Sequence, residues 1–171
     1  MLESLSYVME LAAVASPFLI TLRERGLRRE TAEDLVVQIE ALALTTALNI
    51  TVKTLIQRPI PMVYAGRGHG LETKASGYRS FYSGHVAHMA SALCANAVVS
   101  HFRGRGSLRP WGLAAVGTAA VAFARVGAGR HFYSDVTAGA LAGAAVGTLV
   151  PLLHPKRTSK RPNVRGKRTS R

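Results

Sequence analysis

Apolar residues are concentrated in five stretches of the chain, at about 5–22, 35–56, 86–101, 110–126 and 136–153. Each stretch approaches the ~20 residues that an α-helix needs to cross the hydrocarbon core of a bilayer. We therefore expect an all-α fold, a polytopic membrane helix bundle with about five transmembrane helices. The third and fourth stretches are short and rich in alanine, so each of these two, taken alone, also fits a helix buried in a protein core.

The last apolar stretch carries a regular series of glycines. Gly139, Gly143 and Gly147 follow one another at four-residue intervals, which places them on one face of a helix. Such a face lets the backbone of a neighbouring helix approach closely. The alternative is simply a membrane helix rich in alanine and glycine, and the two interpretations are compatible.

Positive charge is distributed in blocks along the chain. The net charge is +13, and most basic residues lie at 23–29, 101–109 and 156–171, between or after apolar stretches. If five helices cross alternately, all three blocks lie on one side, as the positive-inside rule requires of the cytoplasmic side. This predicts an integral protein of a bacterial plasma membrane with an outside N-terminus and a cytoplasmic C-terminus. The first residues show no signal-peptide pattern, so we expect the first stretch to be retained.

Two segments lack an apolar pattern. The segment 60–82 is rich in glycine without helical or strand periodicity, which predicts an irregular loop outside the membrane. Residues 155–171 are dominated by Lys, Arg, Ser and Thr, which predicts a disordered basic cytoplasmic tail after a membrane-embedded domain at 1–154. The expected partner of the tail is the anionic inner leaflet of the lipid bilayer. A purely topological anchor is the alternative, and no nucleic acid is expected because no aromatic platform accompanies the charge.

Three short polar clusters lie among the apolar stretches and hold the residue types that phosphoryl transfer needs. In chain order the clusters consist of Lys53 and Arg58; Ser83, Gly84 and His85; and Arg125, His131 and Asp135. Alternate crossing brings all three clusters to the outer membrane face. Charge is costly in apolar segments and usually functional there. The clusters therefore predict a phosphate-handling site at that face.

Each role in phosphoryl transfer has a candidate in these clusters. His131 and Asp135 are four residues apart, so a helix beginning near them would put both on one face, with the carboxylate orienting a nucleophilic imidazole. A surface pair on a helix is the alternative. Ser83 and Gly84 lie at the expected start of a helix, where N–H groups attract phosphate oxygens. His85 is the candidate acid for the departing alkoxide.

The cationic residues complete this site. Lys53, Arg58 and Arg125 would surround the phosphate, arginine through a planar fork and lysine as a compact charge. No metal or other cofactor is predicted, because Asp135 is the only carboxylate after Glu72 and no Cys or His spacing suggests zinc.

These motifs resemble those of the type 2 phosphatidic acid phosphatase (PAP2) superfamily over about residues 35–153. The family pattern contains Lys, six residues and Arg-Pro; then Pro-Ser-Gly-His; then Ser-Arg, five residues, His, three residues and Asp. The corresponding segments here are Lys53 to Pro61, Tyr82-Ser83-Gly84-His85, and Ala124-Arg125 followed by His131 and Asp135.

The resemblance implies a metal-independent phosphatase that forms a phosphohistidine on His131. Its implied substrate is a phosphomonoester or diphosphate on a membrane lipid, such as phosphatidic acid, phosphatidylglycerol phosphate or undecaprenyl diphosphate. It also implies that Asp135 orients His131 and that His85 is the general acid. The residues implied to bind phosphate are Lys53, Ser83, Gly84 and Arg125.

One position departs from the family pattern in a way that affects activity. Ile60 stands where the family has a phosphate-binding arginine, and Arg58 lies two residues earlier. Losing one such contact commonly costs on the order of 100-fold in rate, and we hypothesise that Arg58, Arg67 or Arg79 compensates. The alternative function is a catalytically impaired member that binds phosphorylated lipid or acts as a scaffold. A soluble vanadium-dependent oxidase of the same superfamily is less favoured, because the loops follow a membrane charge rule.

Overall fold

The computed structural model describes residues 29–104 and 107–154, together with single helical positions between 8 and 23. Within these residues the protein is all-helical and contains no strand. The helices are α1 (Arg29–Ile56), the one-turn α2 (Pro61–Tyr64), α3 (Gly84–Phe102), α4 (Arg109–Gly127) and α5 (Tyr133–Leu153). Each of the last four predicted apolar stretches lies within one long helix, which confirms the all-helical class. The first stretch falls largely outside the described residues, and the basic tail entirely so.

Helix α3 lies at the centre of the bundle and packs against α1, α4 and α5. The C-terminal part of α1 contacts the start of α3, because Asn49 donates from Nδ2 to the carbonyl oxygen of Tyr82 at 2.8 Å. Helix α5 begins beside the start of α3 and runs parallel to it, with Gly139 next to Ser83. We call this the site end of the bundle, and the end near Asp34 the opposite end.

The predicted glycine face of α5 is used inside the protein. A Cβ atom at Gly143 would overlap the carbonyl oxygen of Ala87, and one at Gly147 would overlap that of Ser91. The backbones of α3 and α5 are therefore in direct contact, as the four-residue glycine spacing predicted.

An ion pair joins α1 to α3 at the opposite end. Arg103 donates from Nε and Nη2 to the two carboxylate oxygens of Asp34, at 3.1 and 3.0 Å. Its Nη2 also donates to the carbonyl oxygen of Glu30 at 3.0 Å. The Asp34 side chain is fully buried, so this two-pronged contact neutralises a charge that water does not reach.

The bundle has large apolar side chains on its outside, and several polar side chains are buried among the mainly small apolar residues of its core. Leu55 and Phe123 are each 78% exposed and Leu141 is 68% exposed, whereas Gln38 and Thr45 are buried. Two helical stretches, Arg29–Tyr64 and Tyr133–Leu153, are long and apolar enough to cross a membrane. These features are consistent with a membrane protein, although only two of the five expected membrane helices meet this criterion within the described residues.

The segment between α1 and α3 is more ordered than the irregular loop that the sequence predicted. It contains α2 and a 3₁₀-helix at Ala75–Tyr78. Its two ends are tied together, because the Ile60 N–H donates to the Gly77 carbonyl at 2.8 Å and the Ser80 N–H donates to the Arg58 carbonyl at 3.0 Å. This pairing returns the chain to the site end just before α3 begins.

Candidate active site

The predicted site residues all lie on the segments that meet at the site end. Lys53 is in the last turn of α1 and Arg125 in the last turn of α4. The charges of both residues act on His131, which lies just before α5. The remaining predicted residues on these segments are Arg58, Ser83, Gly84, His85 and Asp135.

The start of α3 provides a concentrated set of hydrogen-bond donors. A side chain at Gly84 would meet Asn49 Oδ1 at 2.8 Å and Lys53 Nζ at 3.7 Å, so only glycine lets these groups approach the first turn. The preceding Ser83 is buried, and its Oγ makes no hydrogen bond to the described residues. A hydroxyl group, an ammonium group and the N–H groups of a 19-residue helix therefore converge where an anion would bind.

His131 lies before α5 rather than on it, which corrects the prediction that His131 and Asp135 share a helix face. The helix begins at Tyr133, because the Asp135 carboxylate accepts the N–H of Phe132 at 2.9 Å and leaves Phe132 extended. Nδ1 of His131 is 2.8 Å from the carbonyl oxygen of Ser80, whereas it is 3.8 Å from Asp135 Oδ2. A carbonyl oxygen only accepts, so Nδ1 carries the proton and the lone pair lies on Nε2.

The Asp135 carboxylate is buried and receives donors from several segments. Arg58 Nη1 donates to Oδ1 at 2.7 Å, and Ser80 Oγ donates to Oδ2 at 2.5 Å. The same Arg58 nitrogen contacts Ser134 Oγ at 2.9 Å, and the guanidinium lies 4.2 Å from the centre of the Phe132 ring. Arg58, expected from the sequence to bind phosphate, is thus engaged with Asp135.

Burial lowers the pKa of His131, and the positive charges of Arg125 and Lys53 lower this pKa further. Asp135 acts in the opposite direction without reversing the shift. An unperturbed histidine titrates near ~6.5. His131 is therefore neutral at pH 7, the state in which an imidazole nitrogen can act as a nucleophile.

The position of the missing family arginine is filled by a buried apolar side chain. Ile60 is only 3% exposed. Of the arginines considered as replacements, Arg67 and Arg79 are both exposed, but only Arg79 lines a cleft of about 210 Å³ together with Lys53. Arg79 is therefore the arginine whose surroundings best match a compensating role.

Two residues of the site were not recognised in the sequence. Asn49 is buried and donates a hydrogen bond to the Tyr82 carbonyl oxygen. The sequence feature that could have indicated its role is its position, because it is a polar residue in an apolar stretch, one helical turn before Lys53. Ser80 contacts both His131 and Asp135, but its sequence neighbourhood gives no signal of this role. In the described part of the chain, no group of three or more His, Cys, Asp or Glu residues is arranged to hold a metal ion.

A histidine with its lone pair on Nε2, next to two cations and a helix N-terminus, defines an all-helical protein with a candidate phosphate site at one end. The family model of the PAP2 superfamily matches residues 34–159. The chain therefore belongs to the PAP2 superfamily, whose members are generally phosphatases. No curated protein and no solved structure matches the chain.

Proposed function

We propose that this protein is an integral membrane phosphatase that hydrolyses a phosphomonoester or diphosphate on a membrane lipid through a phosphohistidine on His131. The observation that carries the proposal is the 2.8 Å contact between His131 Nδ1 and the Ser80 carbonyl oxygen. This contact assigns the lone pair to Nε2, at the end of the bundle where Lys53 and Arg125 supply positive charge.

The first step is attack of His131 Nε2 on the phosphorus atom. A P–N bond forms while the P–O bond to the lipid breaks, and negative charge stays on the non-bridging oxygens. Lys53, Arg125 and the donors at the start of α3 stabilise these oxygens. His85 gives a proton to the departing lipid alkoxide or, when the substrate is a diphosphate, to the bridging oxygen that leaves with the lipid monophosphate.

The second step is hydrolysis of the phosphohistidine. His85, now without its proton, accepts a proton from water as the water oxygen attacks phosphorus. The P–N bond breaks, inorganic phosphate leaves, and His131 returns to its starting state. The cations and donors that serve the first step serve the second, because both place charge on the same oxygens.

A lipid substrate is supported by the surface of the bundle. The helices that carry the site expose large apolar side chains, as a protein surrounded by lipid tails does. A lipid phosphate such as phosphatidic acid, phosphatidylglycerol phosphate or undecaprenyl diphosphate would reach the site end from the same bilayer. The basic blocks favour a site at the outer face and a tail at the anionic inner leaflet.

A second candidate function is a catalytically impaired protein that binds phosphorylated lipid or acts as a scaffold. Two observations favour it. Ile60 replaces the family's phosphate-binding arginine and is buried, and Arg58 is paired with Asp135. The first candidate remains the better supported, because His131, His85 and Asp135 are all present at the site end.

The test is phosphate release by the protein purified in detergent, with chelator present, across a panel of lipid monophosphates and diphosphates. His131→Ala should abolish release, while the matched control His101→Ala should retain it, because His101 lies exposed in the last turn of α3, at the opposite end. Binding of phosphorylated lipid by folded wild-type protein, without release above His131→Ala, would instead support the second candidate.

A further inference from the structure

Each of the three polar groups of Ser80 makes a hydrogen bond to another residue of the site. Its N–H donates to the carbonyl oxygen of Arg58 at 3.0 Å, and its hydroxyl donates to Asp135 Oδ2 at 2.5 Å. Its carbonyl oxygen accepts the Nδ1 proton of His131 at 2.8 Å. The side chain is fully buried, so water does not compete for these bonds.

Asp135 does not contact His131 closely enough to orient it directly. The separation of 3.8 Å between His131 Nδ1 and Asp135 Oδ2 is too long for a hydrogen bond. The Asp135 carboxylate is already held by Arg58, by Ser80 and by the N–H of Phe132. The shortest chain of hydrogen bonds from this carboxylate to the imidazole therefore passes through Ser80, which contacts both groups.

We propose that Ser80 is the positioning residue through which the Asp135–Arg58 pair fixes which nitrogen of His131 attacks phosphorus. The inference rests on the proposed role of His131 as the nucleophile. The Ser80 hydroxyl and N–H anchor its peptide to Asp135 and to the Arg58 backbone. With the peptide anchored, its carbonyl oxygen keeps the proton of His131 on Nδ1 and presents Nε2 to the substrate.

Removing the Ser80 hydroxyl has two consequences. The peptide loses one anchor, so the imidazole ring is held less firmly. Asp135 Oδ2 also loses a donor and becomes able to turn toward His131, which would raise the pKa of the imidazole. The other charges that act on His131 are Lys53 from α1 and Arg125 from α4, and neither is changed by this substitution.

The first measurement compares Ser80→Ala with Ser91→Ala. Ser91 is an equally buried serine, whose Oγ accepts a hydrogen bond from Thr45 at 2.9 Å, and it lies two turns into α3. We expect Ser80→Ala to lower kcat by roughly 10- to 100-fold, as small displacements of reacting groups do, with KM little changed. The acid limb of kcat/KM should move to higher pH. Ser91→Ala should leave kcat and the pH profile unchanged, and equal effects of the two substitutions would overturn the proposal.

The second measurement does not depend on turnover. With ¹⁵N-labelled histidine, and with the His131 signal assigned by its absence in His131→Gln, the ring nitrogen shifts report the tautomer directly. We expect the Nδ1–H tautomer in the wild type and a mixture of tautomers or a charged ring in Ser80→Ala. A wild-type Nε2–H tautomer would overturn the proposal. The expected tautomer together with an absence of phosphatase activity would contradict the proposed function while retaining the geometry.

A double-mutant comparison separates an indirect from a direct action of Asp135. If the carboxylate acts through Ser80, the Ser80→Ala/Asp135→Asn double variant should be no slower than Asp135→Asn alone. Losses that multiply would show independent actions and contradict the proposal. So would an Asp135→Asn variant with an altered tautomer beside a Ser80→Ala variant with the wild-type tautomer.

Discussion

Both ends of the helix bundle hold a fully buried aspartate paired with an arginine, but the two pairs are built differently. At the opposite end, the guanidinium of Arg103 donates hydrogen bonds to both carboxylate oxygens of Asp34 and so joins α1 to α3. At the site end, Asp135 receives one nitrogen of Arg58 and the hydroxyl of Ser80, from the segment before α3. The first pair ties two helices together, whereas the second gathers the segments that carry the site.

The comparison shows that a buried ion pair alone does not identify an active site. What distinguishes the site end is its surroundings: a neutral histidine beside the pair, two further cations, and a helix N-terminus with a buried serine hydroxyl. Cations in excess of carboxylates leave positive charge for a bound anion.

Arginine removal at each end should separate stability from catalysis. Arg103→Ala leaves Asp34 as a buried charge without its main partner, which should cost roughly 3 kcal/mol or more of unfolding free energy. Its activity per folded molecule should be unchanged. Arg58→Ala should cost stability and also lower kcat by about 100-fold, because Asp135 loses an anchor near His131, the proposed nucleophile. Thermal unfolding and kcat, both measured on the monodisperse fraction, report the two effects. A loss of kcat in Arg103→Ala would contradict the proposed difference between the two ends.

The backbones of α3 and α5 are in direct contact, so the stability of the bundle should be sensitive to one methyl group added between them. Gly143→Ala would place a Cβ against the Ala87 carbonyl oxygen, which should cost about 2 kcal/mol of stability through overpacking. Gly112→Ala on α4 is the matched control, since nothing lies within 4 Å of its Cβ position. Helix propensity predicts that this control is neutral or slightly stabilising. Equal melting temperatures for the two variants would contradict the described packing of α5 on α3.

Two loop arginines test how the site compensates for Ile60. Both arginines are exposed, but Arg79 lines the cleft that contains Lys53 and Arg67 does not. Arg79→Gln should lower kcat/KM by roughly 10-fold through loss of one charged contact to phosphate, and Arg67→Gln should have no effect. Steady-state kinetics on one soluble short-chain lipid phosphate make this comparison. A larger loss for Arg67→Gln would reverse the assignment.

The pH dependence of activity should report the surroundings of His131. Burial and the charges of Arg125 and Lys53 lower its pKa, so the neutral nucleophile should persist below pH ~6.5 and the acid limb of kcat/KM should lie there. Lys53→Met removes a positive charge that lowers this pKa, so the pKa should rise and the acid limb should move to higher pH. Lys74→Met, an exposed lysine in the loop, is the control. All variants are measured with the same substrate, so the ionisation of the substrate phosphate affects every pH profile equally. An acid limb of kcat/KM that does not move in Lys53→Met would contradict the described electrostatics.

The helices and the family followed from the sequence because their signals are local. An apolar stretch bounded by charged residues predicts a helix whatever that helix packs against. The glycine spacing of α5 likewise predicts a close helix–helix contact without showing which helix is the partner. The three polar clusters were likewise selected as a candidate site from their residue types and spacing, and their role stays a prediction. Their arrival on segments that meet at one end of the bundle required only that successive helices alternate in direction.

The partners within the site did not follow from the sequence, because they depend on how the loop before α3 folds. The paired ends of that loop bring Ser80 to His131 and Arg58 to Asp135, across more than fifty residues of chain. The start of α5 was also misplaced, since the Asp135 side chain caps the helix and leaves His131 outside it. The number of membrane helices was only partly supported, because within the described residues only the stretches Arg29–Tyr64 and Tyr133–Leu153 are long and apolar enough to cross a membrane.

Trapping the phosphoenzyme would show whether phosphate passes through His131. Wild-type protein is mixed with ³²P-labelled lipid phosphate, quenched in alkali and digested, and the labelled peptide is identified by mass spectrometry. We expect an acid-labile, alkali-stable phosphate on His131 that disappears in His131→Ala and persists in His101→Ala. Label on a different residue, or turnover by the wild type with no label on His131 at any quench time, would contradict it.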